Sequence, residues 1–165
     1  MADIFISFHT KDTERVRAVH DAFIARGLTV FWCDAIPKGA PNYQTILLDE
    51  LTEATAVVVL WTHNSVKSNP VIQECSQAER YQKLFQVVFD EHILPMQFPM
   101  EIPYKAQKTM LIRWSGDAED PEWKKLNDAI DARIEFVRSE RYKTSAGRGR
   151  TLLDNLRDLK RRKPR

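Results

Sequence analysis

The sequence predicts an α/β fold: a parallel sheet of five strands covered by helices on both faces. Three observations carry that prediction. Short apolar runs alternate along the chain with segments of helical periodicity. The central run, Ala56-Val57-Val58-Val59-Leu60-Trp61, is apolar throughout and lacks the alternation of a half-exposed strand. A length of 165 residues, 43% apolar and 29% charged, suffices for one domain with a substantial core.

The elements follow in order. Asp3-Ile4-Phe5-Ile6-Ser7-Phe8 reads as the first strand. A helix runs from about Asp12, whose side chain can cap it, to Arg26, and Gly27 ends it. Its apolar face is Val16, Val19, Phe23 and Ile24. Leu28 to Trp32 is strand two, followed by a loop rich in turn residues from Cys33 to Pro41. The second helix, about Asn42 to Ala54, should bury Ile46, Leu47, Leu51 and Ala54. After the strand at 56–61, Asn69 as N-cap and Pro70 at the first helical position open a third helix over about 70–84. Val71, Ile72, Cys75 and Ala78 face inward on it.

The fourth strand lies near Val87-Val88-Phe89. His92 to Lys105 contains Pro95, Pro99 and Pro103 and is read as irregular. Lys108 to Trp114 supplies strand five. Asp120-Pro121 opens the last helix of the domain, whose core stripe is Trp123, Leu126, Ile130, Ile134 and Val137. Ser145-Ala146-Gly147-Arg148-Gly149 reads as a flexible joint before a short amphipathic helix carrying Leu152, Leu153, Leu156 and Leu159.

Right-handed crossovers restrict the wiring, and the flavodoxin-like order 2-1-3-4-5 is its simplest outcome. That order reverses between strands one and three, and ligands bind outside the carboxyl ends of strands at such a point. The loops there are Phe8-His9-Thr10-Lys11 and Trp61-Thr62-His63-Asn64-Ser65. Glu74 stands just beyond the second loop, in the second turn of helix three. It is either a crevice carboxylate or an ordinary helix-surface charge.

Composition narrows the class. Met1-Ala2-Asp3 opens no signal peptide and no apolar run has bilayer length, so a cytoplasmic protein with reduced thiols is expected. Cys33 and Cys75 form no disulfide framework, and His9, His20, His63 and His92 show no metal-ligand spacing, so no metal is expected. The net charge of +2 hides a split: residues 137–165 hold 11 Lys/Arg against Glu140, Asp154 and Asp158, about +8, leaving about −6 for the rest. The basic tail lacks interleaved aromatics, which disfavours nucleic acid. An acidic neighbouring subunit or companion protein is the favoured partner.

Several landmarks coincide: Asp3 to Phe8, Phe31 with Asp34, Ile36-Pro37-Lys38-Gly39, Ser68 with Glu74 after a Val-Val-Val-Leu strand, and Trp114-Ser115-Gly116-Asp117. Together they resemble the Toll/interleukin-1 receptor (TIR) domain of the bacterial kind. The resemblance covers roughly residues 1–136 and sets the division into a TIR domain over 1–138 and a basic tail over 139–165. It implies a flavodoxin-like fold and one of two uses. Some members hydrolyse or cyclise NAD+ with release of nicotinamide; others are scaffolds that self-associate through TIR–TIR contacts. It further implies that Glu74 is catalytic, that NAD+ is a substrate with no separate cofactor, and that Ile36, Pro37, Lys38 and Gly39 form an assembly loop.

The candidate substrate-binding residues are Phe8, His9, Trp32, Asp34, Tyr43 and Ser68. Phe8 and Trp32 either pack against nicotinamide or ribose or belong to the core. Ser68 either hydrogen-bonds the substrate or caps helix three. Lys11 and Lys38 read as solvated rather than phosphate-binding. The sequence departs from the family where a tryptophan commonly stands four residues before the catalytic glutamate: here that residue is Pro70, and Tyr43 compensates in part. With no recognisable sensor segment, activation falls to a companion sensor protein, a small-molecule signal or concentration-driven assembly.

The chemistry suits one carboxylate. Cationic nicotinamide departs neutral, so its leaving needs no acid, while positive charge grows on the ribose. A fixed carboxylate stabilises that charge, a role typically worth about 2.7–4 kcal/mol. The alternative is a non-catalytic scaffold acting through the Asp34–Pro41 loop. A phosphoreceiver domain of the same fold needs an aspartate ending strand three, where this chain has Trp61-Thr62. Cys75, at helical spacing with the core, is a poor nucleophile candidate.

Overall fold

The computed structural model describes residues 1–37, 39–93 and 108–161, with side chains through Ser145. Lys38 and most of the proline-rich stretch from His92 to Lys105 lie outside the described residues, as do the side chains of the tail leucines. The elements are β1 (Ile4–Ser7), α1 (Thr13–Ala25), β2 (Val30–Trp32), α2 (Tyr43–Glu53), β3 (Ala56–Trp61), α3 (Asn69–Arg80), β4 (Leu84–Val88), β5 (Lys108–Met110) and α4 (Pro121–Arg161). The five strands stand in the order β2-β1-β3-β4-β5, every neighbouring pair parallel. The expected flavodoxin-like wiring is therefore the observed one.

All six residues of β3 are buried, because helices cover both its faces. The pleat divides the core in two. Ile4, Ile6, Phe8, Val58 and Leu60 pack with α1 and α4 through Val16, Val19, Phe23, Trp123, Leu126 and Ile130. Phe5, Val57, Val59 and Trp61 point the other way, onto Leu51 of α2 and Val71, Cys75 and Ala78 of α3. Among the described residues no helix is long and apolar enough to cross a membrane.

Several boundaries differ from the sequence reading. Helix α3 stops at Arg80, because Gln82 takes a left-handed conformation at φ 54° and turns the chain into β4, which starts at Leu84. Strand β5 ends at Met110: Arg113, also at φ 54°, and a bond from Trp114 N–H to the Leu111 carbonyl fold 111–114 into a turn. Asp12 makes no capping bond to α1. The N-cap of α3 is Ser68 rather than Asn69. Ile24 and Ile46 are 46% and 37% exposed, since each sits at the margin of its helix's packed face. Helix α4 continues through Ser145–Gly149 without a joint; helix-favouring neighbours outweigh two glycines at about 1 kcal/mol each.

Candidate active site

Strand alternation decides what reaches the rim of the sheet. Phe5 faces α2 and α3, so Ser7, two residues on, faces the same way at the carboxyl end of β1. Helix α3 starts at the same end, after β3 and the 3-10 turn Ser65–Lys67. Its second turn carries Glu74 back over β1. There the Ser7 hydroxyl, 1% exposed, donates to Glu74 Oε2 at 2.5 Å.

Glu74 opens onto a cleft of about 570 Å³ between β1, the start of α3, and α2. Its floor is Phe5, Ile6 and Val71; α2 contributes Tyr43, Leu47, Leu48 and Leu51; Phe8, His9 and Thr10 form the β1 rim. Ser68, Gln73, Gln77, Gln44 and Thr45 stand beside Glu74 as polar groups, with His9, Thr10 and Tyr43 at the rim. A mostly apolar concavity with a few convergent polar atoms has the size and character of a small-molecule site. Among the described lining residues there is no Lys or Arg.

Burial pushes the Glu74 carboxyl up from 4.5 to about 7, against the Ser7 hydrogen bond, which pulls it down. Cys33, on the cleft wall, is pushed up to about 11, first by burial and then by Glu74 and Asp34; a hydrogen bond with Tyr43 acts against the rise. Tyr43 is also raised, chiefly by burial, then by Cys33 and Glu74. Cys33 is thus a protonated thiol that joins the start of the 33–41 loop to the start of α2. Cys75 is fully buried in the core and pushed up to about 12 by burial and then Glu79, which leaves it inert.

Of the residues singled out in the sequence, Phe8, His9, Tyr43, Ser68 and Glu74 gather at this cleft. Trp32 and Asp34 do not line it. Trp32 is buried on the other side of β2, stacked on His20 at 4.5 Å, with the Arg17 guanidinium 5.4 Å above its ring. Its neighbour Phe8 belongs to the same core cluster while also reaching the cleft rim. Asp34 is exposed, with Arg17 at 4.0 Å. In the following loop Ile36 is buried at 5% as an anchor, Pro37 and Gly39 are exposed, and Gly39 holds φ 85°. Ser68 makes no side-chain capping bond. Pro70 lines the cleft at the position where an aromatic is common, and Gln73 lies beside it.

Sequence reasoning missed Ser7 and Cys33. A signal for Ser7 existed: a lone hydroxyl in Ile-Phe-Ile-Ser-Phe, in pleat phase with Phe5 at the strand's carboxyl end. A second polar cluster also escaped it. Asp12, 4% exposed, accepts from Thr62 Oγ1 at 2.7 Å and Asn64 Nδ2 at 3.0 Å, with Arg15 at 3.6 Å. No group of three His, Cys, Asp or Glu side chains among the described residues is arranged to hold a metal ion.

Comparison with known proteins places this geometry in context. No curated protein sequence matches the chain. The TIR domain of the Toll-related receptor TRR-2 from Hydra magnipapillata superposes with a TM-score of 0.59 at 17% identity, covering 79% of this chain and 99% of that one. A metazoan TIR-STING receptor from C. gigas, solved with 2′,3′-cGAMP, gives a TM-score of 0.59 at 16% identity over 81% of this chain. The chain spans only 39% of that receptor. At such identities the likeness is one of fold. The family model of the TIR domain matches residues 4–130, and the chain belongs to that family.

Proposed function

We propose that this TIR domain cleaves the nicotinamide–ribose bond of NAD+, with Glu74 as the residue that stabilises charge on the ribose. The observation that carries the reading is Glu74 itself: a carboxylate at the carboxyl end of the sheet, fixed by Ser7 and opening on a cleft of about 570 Å³. In the reaction the C1′–N bond breaks and its electron pair passes to the pyridinium nitrogen, so nicotinamide leaves neutral. The cationic ribosyl group is held by the carboxylate until water, losing a proton, or a nitrogen of the adenine adds to C1′. The absence of Lys and Arg from the described lining leaves the anionic Glu74 as its dominant charge, which suits a substrate whose reacting half is cationic.

The exposed Pro37 and Gly39, on a loop anchored by Ile36 and tied to α2 through Cys33 and Tyr43, supply the surface for self-association in this reading. Assembly would then bear on the cleft through that same tie. A companion sensor protein remains the proposed trigger.

Incubating the full chain with NAD+ at high protein concentration and under crowding, and resolving products by chromatography, tests the proposal. Wild type should release nicotinamide, with activity rising through about pH 7 as Glu74 ionises. Glu74→Gln, with unchanged circular dichroism, should lower the rate by about 10²–10³ or more. A wild-type chain inert under all these conditions overturns the enzymatic reading and leaves the non-catalytic scaffold.

A further inference from the structure

We propose that Ser7 is the positioning residue of this site: its hydroxyl holds one oxygen of Glu74 and so fixes the other toward the cleft. The inference rests on the reading of Glu74 given above, and assigns to β1 a part in the chemistry beyond its part in the sheet.

Ser7 is the last residue of β1, between Ile6 and Phe8, which both line the cleft. It pairs in register with Val59 of β3, so its backbone is held by the centre of the sheet. A rigid strand places a side chain more exactly than a loop does. The hydroxyl is 1% exposed and bridges 67 residues of sequence to reach Oε2. An isolated serine at a buried strand position costs stability unless its hydroxyl has a partner, and here the partner is the carboxylate. Apolar residues precede it on the same face at Phe5 and follow it in sequence at Phe8, so a hydroxyl at this one position is not accounted for by packing.

The charged and titratable groups facing Glu74 offer no substitute. Cys33 at the start of the loop and Tyr43 on α2 are weak acids whose ionised forms would repel it. His9 lies on the β1 rim, and α3 itself contributes Gln73 and Gln77 to the lining. No described lining residue is a lysine or arginine. Ser7 is therefore the group that favours the ionised form of a carboxyl which burial drives toward neutrality. Removing the hydroxyl has two consequences: the carboxyl stays protonated to higher pH, and it rotates freely about its terminal torsion.

The test uses the full chain with 13C-labelled glutamate, the Glu74 carboxyl signal being assigned by its loss in Glu74→Gln. Its titration is followed in wild type, Ser7→Ala and Ser7→Thr, beside the pH profile of nicotinamide release. In Ser7→Ala the midpoint should move up by about one to two pH units, the worth of a hydrogen bond to a charged group. At pH 7 the rate should fall about five- to fiftyfold and recover toward pH 9; Ser7→Thr should stay near wild type in both readouts. A Glu74 midpoint unmoved by Ser7→Ala, or a rate loss equal at every pH, overturns the assignment. If wild type releases no nicotinamide but the midpoint moves, Ser7 is upheld as the group controlling Glu74 and only the NAD+ reading falls.

Discussion

Two carboxylates stand at the same end of the sheet, and the fold treats them in opposite ways. Asp12 meets a donor on each side: Thr62 Oγ1 at 2.7 Å, Asn64 Nδ2 at 3.0 Å and Arg15 at 3.6 Å. Arg15 in turn reaches Asp90 at 2.6 Å, and Asp90 accepts the His63 N–H at 2.9 Å. Burial pushes the Asp90 carboxyl up, but the Arg15 hydrogen bond and the His63 N–H outweigh it and hold it below its usual range. Glu74 has Ser7 and an apolar wall, and burial wins. The first cluster ties the β1–α1, β3–α3 and post-β4 loops into one frame. The second leaves a carboxyl poised near neutrality beside open space. A satisfied acid builds; an under-satisfied one is available for chemistry.

The largest expected effect tests the building half. Asp12→Ala removes the acceptor shared by the buried Thr62 hydroxyl and the exposed Asn64 amide, together with the partner of Arg15, and should cost on the order of 3 kcal/mol. For a chain of this size that lowers Tm by roughly 6–12 °C, read by circular dichroism. A fall under about 2 °C would mean that the network is not what holds the loops.

Lys83 sharpens the comparison from the opposite end of the sheet. Its ammonium, 5% exposed, donates to the carbonyls of Leu51, Thr52 and Ala54 at 2.6, 2.8 and 2.9 Å, closing the carboxyl end of α2. Lys83→Met should destabilise by about 2 kcal/mol in urea unfolding. Because α2 carries Tyr43, Leu47 and Leu51 of the cleft, in the proposed reaction the loss should also raise KM for NAD+ more than it lowers kcat. An unchanged urea midpoint would show that water satisfies those carbonyls as well as Lys83 does.

The sheet order and the position of Glu74 were legible because both follow from patterns that act locally. The Ala56–Trp61 run has one reading as a central strand, and Pro70 fixes the phase of α3, which fixes where Glu74 emerges. The alternation of strand and helix then left little freedom in the wiring. Trp32 shows what local patterns omit. It ends strand two as expected, yet β2 is an edge strand three residues long, and Trp32 turns to His20 on α1, away from the cleft. Face is set by register against β1, which pairs Trp32 with Ile6, and register is not written in the strand itself. Ser7 and Asp12 stayed hidden for a related reason. Each matters through a partner more than 45 residues away, Glu74 and Thr62, that only the closed sheet brings near.

The smallest expected effect separates Glu74 by pH from Asp90, the second acid of the Asp12 cluster. Unfolded, Glu74 ionises near its ordinary 4.5; folded, it ionises near 7. Between those values the folded chain binds more protons than the unfolded one, so Glu74 contributes a stability that is complete below pH 4.5 and declines as pH rises toward 7. Glu74→Gln has no such decline. From pH 5 to pH 6 wild type should lose about 1 kcal/mol relative to Glu74→Gln, roughly 2–4 °C in the Tm difference. Asp90 has the opposite sign, since its folded value lies below its ordinary one: its contribution is complete at neutral pH and is lost only as acid protonates it. In thermal melts the Glu74→Gln difference from wild type should therefore change between about pH 4.5 and 7, and the Asp90→Asn difference only in acid, below the ordinary 3.8, in the opposite direction. Parallel curves for Glu74→Gln and wild type would mean that water reaches Glu74 as freely as it reaches an ordinary surface carboxylate, and the contrast between the two acids would be lost.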